Sequence, residues 1–152
     1  MFPILPLLLK DFYKCSHRAQ YNPLTCLIYD NLTPRGSRTG FNAVMSYGTQ
    51  YLIAEYFITR FNRDFFERPI DDVLKEYKRV VDAGLGKDCI TLDHIAALHK
   101  LQYLPLHVKA IPEGTLVPTR VPVMTLYNTV DHAFWLPNAL ETLISATLWG
   151  MM

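Results

Sequence analysis

LHVKAIPEGTLVPTRVPVMTLY, residues 106–127, is the stretch on which the architecture turns. Leu106 to Ile111 alternates apolar and polar side chains, the pattern of a half-buried strand. Pro112-Glu-Gly114 reads as a turn, Thr115–Val117 as a short strand, and Val121–Tyr127 as another strand interrupted by Pro122. Proline cannot donate to a ladder, so this is a meander whose prolines belong at edges.

The flanks are helical on both sides. Upstream, Asp11 is a good N-cap for a short helix over Phe12–Gln20, closed by Asn22 and Pro23. Thr25–Tyr29 reads as a buried strand, and Asp30–Gly40 as a polar loop. Val44, Tyr47, Tyr51, Ile53, Ala54, Phe57 and Phe61 recur at spacings of mostly three and four, so the pattern predicts a helix over Phe41–Phe61. A further helix starts at Pro69 with Asp71 and Asp72 in its first turn and ends at Gly84 or Gly86. A shorter one covers Leu92–Gln102. Downstream, Asp131–Trp149 is a nearly all-apolar helix that Pro137 either kinks or starts. Helices and strands are segregated along the chain. The expected class is therefore α+β, a small antiparallel or mixed sheet with several packed helices, in one domain over residues 1–152.

Composition narrows the function. Half of the 152 residues are hydrophobic and 19% are charged, which supports a packed core over disorder. A net charge of +1 gives no electrostatic reason for nucleic acid or an anionic membrane as partner. The opening MFPILPLLLK lacks the basic start and the cleavage site of a signal peptide. No apolar run reaches the ~18–20 residues that span a bilayer. Cys15, Cys26 and Cys89 are odd in number and form no CxxC pair, which favours reduced thiols in a cytoplasmic protein. The expectation is a soluble cytoplasmic chain.

Few motifs carry chemistry. HExxH, GxGxxG, GxxxxGK[ST] and GxSxG are absent, and His94 and His99 lie on different helix faces. The histidines are expected at the surface or at caps, with no metal site. Two local features stand out. KDFYKCSH, residues 10–17, sets rings among charges at a helix start. It is either a platform for a flat ring with an anion nearby, or an amphipathic helix whose Phe12 and Tyr13 cover the core. TPRGSR, residues 33–38, is either a phosphate-binding loop with Arg35 and Arg38 as donors, or a solvated loop.

Taken in order, several blocks resemble the N-terminal region of nicotinamide phosphoribosyltransferases. They are LLLKDFYKCSH at 7–17 with Gln20-Tyr21, YDNLTPRGSR at 29–38, YGTQY at 47–51 and KAIPEG at 109–114. Val117-Pro118, Asn128-Thr129, Trp135-Leu136 and Glu141-Thr142 follow in the family's order and spacing. Two departures stand out: Phe12 and Asp30 each replace a family serine.

The resemblance implies the N-terminal domain of a type II phosphoribosyltransferase, a cytosolic homodimeric pentosyltransferase of NAD salvage. It would join nicotinamide to 5-phosphoribosyl 1-diphosphate, giving nicotinamide mononucleotide and diphosphate, with magnesium and ATP as cofactors. Tyr13 matches the tyrosine that reaches across the dimer to stack on nicotinamide. Arg35 matches an arginine that binds phosphate from the partner subunit, and Asp11 the aspartate beside that site. The resemblance places the catalytic barrel, with its phosphorylated histidine, in sequence beyond residue 152, so no catalytic residue is expected here. The apolar last helix agrees, since such a helix wants a covering layer, although central packing or a homodimer would also cover it. The alternatives are a catalytically inactive binding or dimerisation module and a truncated gene product.

Overall fold

The computed structural model describes residues 4–37 and 40–152. Short 3-10 turns over Pro6–Leu8, Phe12–Cys15 and His17–Gln20 lead into β1, Tyr29–Leu32. Then come β2 (Ala43–Met45), helix α1 (residues 49–66), α2 (Ile70–Leu85) and α3 (Asp93–Leu101). Strands β3 (Leu106–Ala110), β4 (Leu116–Pro118) and β5 (Met124–Asn128) precede the last helix, α4 (Leu136–Leu148). The α+β class holds, with small antiparallel sheets.

One sheet is ordered β1-β5-β3 and a two-stranded ribbon joins β2 to β4. In β5, Met124, Leu126 and Asn128 are buried while Thr125 and Tyr127 face outward, the two-residue period of a half-covered sheet. Across the outer face, Tyr29 stacks on Tyr127 at 6.1 Å and His107 on Tyr127 at 4.9 Å. The core gathers Phe61, Phe65, Tyr77, Leu98, Met124 and Leu140 between helices and sheet.

Helix α4 lies at the centre of the molecule. Leu136, Ala139, Leu140, Leu143, Ile144 and Leu148 are buried by the chain's own elements, β1, β5 and α1 among them. Its apolar surface is therefore largely covered internally, while Glu141, Ala146 and, at the far end, Trp149 are exposed. Pro137 sits in the first turn and marks the true start, which separates Asp131–Ala133 as its own 3-10 turn.

Several sequence expectations shift. The helix expected over Phe41–Phe61 splits: Ala43–Met45 pairs with β4, Gly48 turns the chain at φ 90°, and helix begins at Thr49. From Leu52 onward α1 adopts wider i→i+5 bonding, as in Glu67 N–H to the Asn62 carbonyl at 2.9 Å. The strand expected over Thr25–Tyr29 instead runs Tyr29–Leu32. Residues before it are held by the Asn128 side chain, whose amide nitrogen donates to the Cys26 and Val130 carbonyls. Its amide oxygen accepts from the Ile28 N–H at 2.9 Å. The stretch from Phe12 to Gln20 is 3-10 rather than α-helical.

Candidate functional site

Tyr13 lies in the 3-10 turn Phe12–Cys15, with 57% of its surface exposed. Its ring packs at a tilt on His17, with 5.0 Å between centroids, and its carbonyl accepts from the Ser16 hydroxyl. The ring therefore does not cover the core. Phe12 is the half-covered partner, lying over Gly84 of α2 so closely that a Cβ there would meet its ring at 2.2 Å.

What holds this turn is a row of polar contacts to one face of α4. The Asp11 N–H donates to the Thr142 hydroxyl at 3.1 Å, and that hydroxyl donates back to the Asp11 carboxylate at 2.9 Å. Asp11 thus acts as a tether to α4, and no side-chain cap bond to its own turn forms. Lys14 pairs with Glu141 and also donates to the Asn138 carbonyl at 3.3 Å. His17 Nδ1 lies 3.0 Å from the Asn138 side-chain oxygen. Asp11, Lys14 and His17 therefore meet Asn138, Glu141 and Thr142, which follow one another at i, i+3 and i+4 on α4.

The Lys14–Glu141 pair is lopsided. The Lys14 side chain is 1% exposed and Glu141 is 61% exposed, so the ammonium is the desolvated partner. Beside it, Asp30, Asn31, Asn138 and Glu141 line a cavity of about 120 Å³ between β1 and α4. Burial, then the Glu141 charge, pushes the Asp30 carboxyl above the usual carboxylate range, and Lys14 partly offsets them. Tyr21 is raised too, by burial and by Asp30.

Arg35 is placed differently. It is exposed in the loop after β1, beside Pro34, whose carbonyl accepts from the Arg120 N–H at 2.7 Å. Among the described residues no hydrogen bond or ion pair engages its guanidinium. Asp11 and Tyr13 thus share one tethered turn, and Arg35 stands on a separate loop. Arg38, the other arginine of that loop, lies outside the described residues.

Sequence reading assigned no role to Lys14, Asn138, Glu141 or Thr142. The available signal was Glu141, a single carboxylate inside an otherwise apolar helix. It also expected every histidine at the surface or a cap, whereas His94 is buried at 5% exposure, edge-on to Trp135 at 4.8 Å. Among the described residues no group of three or more His, Cys, Asp or Glu side chains is placed to hold a metal ion. Nor, among them, is any helix long and apolar enough to cross a membrane.

Comparison with known proteins places this geometry. No family model matches the chain. A nicotinamide phosphoribosyltransferase of Acinetobacter baylyi is 44% identical over 97% of the chain, and one of Xanthomonas campestris is 31% identical over 91%. The chain spans 30% and 27% of the lengths of those two relatives. The crystal structure of human nicotinic acid phosphoribosyltransferase shares the fold, with a TM-score of 0.61 over 93% of this chain and 25% of that one, at 22% identity. The chain is therefore a homologue of nicotinamide phosphoribosyltransferases, matched along nearly its whole length to less than a third of theirs.

Proposed function

We propose that the chain is the ring-stacking and dimer-forming segment of a nicotinamide phosphoribosyltransferase of NAD salvage, which converts nicotinamide and 5-phosphoribosyl 1-diphosphate to nicotinamide mononucleotide and diphosphate. The observation that carries the reading is Tyr13, an exposed ring on a turn tethered to α4 at Asp11, Lys14 and His17. Collinear identity with the Acinetobacter baylyi relative supports it.

In this reading Tyr13 stacks on the nicotinamide ring across a homodimer, turning the ring nitrogen toward the ribose anomeric carbon. The tether fixes the tyrosine backbone before substrate arrives, so little ordering cost remains at binding. Arg35, with no hydrogen-bond or ion-pair partner among the described residues, receives a phosphate oxygen of the substrate held mainly by the partner subunit. Asp11 acts on the turn rather than on substrate, since both its N–H and its carboxylate face Thr142. Bond making and breaking belong to a catalytic barrel outside these residues. Magnesium and ATP, which the resemblance implies, find no donor cluster among the described residues, and no step here runs through them.

A second reading, a binding or dimerisation module without catalysis, draws on the internal burial of α4, which leaves little of that helix in need of a cover. A coupled assay separates the two. The 152-residue chain is given nicotinamide, 5-phosphoribosyl 1-diphosphate, magnesium and ATP, alone and joined to the remaining sequence of the Acinetobacter baylyi relative. The proposal expects no mononucleotide from the chain alone and product from the chimera. Product from the chain alone above a Tyr13→Ala control sinks the assignment of chemistry to a separate barrel. A chimera that folds and stays inactive favours the module.

A further inference from the structure

A second polar concavity lies on the other side of the N-terminal turns. Cys15, Arg18, Cys89, Ile90, Thr91 and His94 line a cavity of about 190 Å³ where the turn His17–Gln20 meets the start of α3. Two of the residues on its wall carry a buried side-chain atom, Arg18 Nε and His94 Nδ1, with no hydrogen-bond partner among the described residues. Buried donors are nearly always satisfied, so a pair of orphans on one cavity wall marks something that completes them. No carboxylate is among the lining residues, and no ion pair engages Arg18 among the described residues.

We propose that this cavity is a binding site for a small oxyanion of the phosphate class, held by the Arg18 guanidinium beside the His94 ring. The site differs from the Tyr13 platform and from Arg35, and it does not depend on the reaction proposed above.

The surroundings suit an anion. His94 is one residue inside the N-terminus of α3, where the helix dipole favours negative charge. Lys10 Nζ, bonded to the Tyr77 hydroxyl at 3.2 Å, adds a second largely desolvated cation. Burial first, then the Arg18 and Lys10 charges, brings His94 down to about 3. The imidazole is thus neutral at pH 7, the Thr91 backbone bonded to it pulling the other way, and its ring is held edge-on by Trp135. A guanidinium fork matches a tetrahedral oxyanion.

Inorganic phosphate is the probe. Calorimetric titration of the 152-residue chain at pH 7 is expected to show saturable one-site binding. Arg18→Gln is expected to weaken it by about ten-fold or more, the usual worth of a charge-assisted bond. Lys100→Gln, an exposed cation at the far end of α3, is expected to leave it unchanged. Phosphate is also expected to shift the His94 ring resonances of the wild-type chain, a readout that decides the matter alone if Arg18→Gln fails to fold. Absence of saturable binding, meaning that the cavity holds water only, overturns the proposal. So does binding that survives Arg18→Gln or disappears in Lys100→Gln, or a His94 ring left unmoved at saturation.

Discussion

The two sides of the N-terminal turns solve the same problem in opposite ways. Toward α4, the polar groups of Asp11, Lys14 and His17 all find partners within hydrogen-bond reach. Toward α3, Arg18 and His94 bring buried polar atoms to a cavity wall and leave them unpaired. His17 and Arg18 are adjacent in sequence, so chain position does not explain the contrast. Paired groups fix the geometry of their neighbours, here the exposed Tyr13. Unpaired buried groups are costly and persist where a ligand completes them.

The largest expected effect tests the paired side. Glu141→Gln leaves the Lys14 ammonium buried without its counter-charge. Unfolding free energy is expected to fall by about 2–3 kcal/mol, below the usual range for a fully buried pair because Asp30 lies near enough to compensate. Lys14→Met leaves the exposed Glu141 carboxylate and the half-buried Asp30 without that cation, and is expected to cost about half of that. Denaturant titrations of both variants measure the asymmetry, and equal losses would break the picture of a lopsided pair.

The unpaired side shows itself with pH. His94 is held at about 3 in the folded chain, below the ordinary imidazole value, so the unfolded chain takes up the proton first as pH falls. Its contribution to stability is full above about pH 6.5 and is lost progressively down to about 3, at up to about 1.4 kcal/mol per pH unit. By pH 5 that is about 2 kcal/mol. His94→Phe keeps a ring against Trp135, and its stability is expected to fall less steeply between pH 6.5 and 5. Parallel curves would show that the His94 environment carries no such cost.

Smaller still, Thr142→Val removes both bonds to Asp11 and is expected to cost about 1 kcal/mol. It should also loosen the Tyr13 turn, seen as faster amide exchange at Lys14 and Ser16. Arg18→Gln is expected to change stability by less than about 0.5 kcal/mol without added anion, since no protein partner is lost. A large loss would mean that the guanidinium has an internal partner after all.

Legibility in the sequence followed the range of the interactions. Helix α2 was readable because its signals are local: Pro69 before the start, acidic residues in the first turn, Gly86 at the end. The alternation of Leu106–Ala110 likewise marked β3. The segment around Ala43–Met45 was misread as helix because its strand character depends on β4, more than 70 residues away in sequence. Strand β1 was set too early because its register comes from β5, while Asn128 holds Cys26 and Ile28 by side-chain bonds that no periodicity records. For the site, the resemblance pointed to Tyr13 and Arg35, and the exposure of both fits the roles proposed for them. The tether beneath Tyr13 was hidden because α4 lies more than 120 residues downstream.

The central claim is that α4 presents Tyr13 as a stacking surface for nicotinamide. In the chimera with the Acinetobacter baylyi sequence, kcat/KM for nicotinamide would be compared between Tyr13→Phe and Tyr13→Leu. The account expects phenylalanine to stay within a few-fold of the unsubstituted chimera and leucine to lose about a hundred-fold, because only a flat ring orients the base. Equal activity of the two variants would mean that Tyr13 serves packing alone, and the claim would fail.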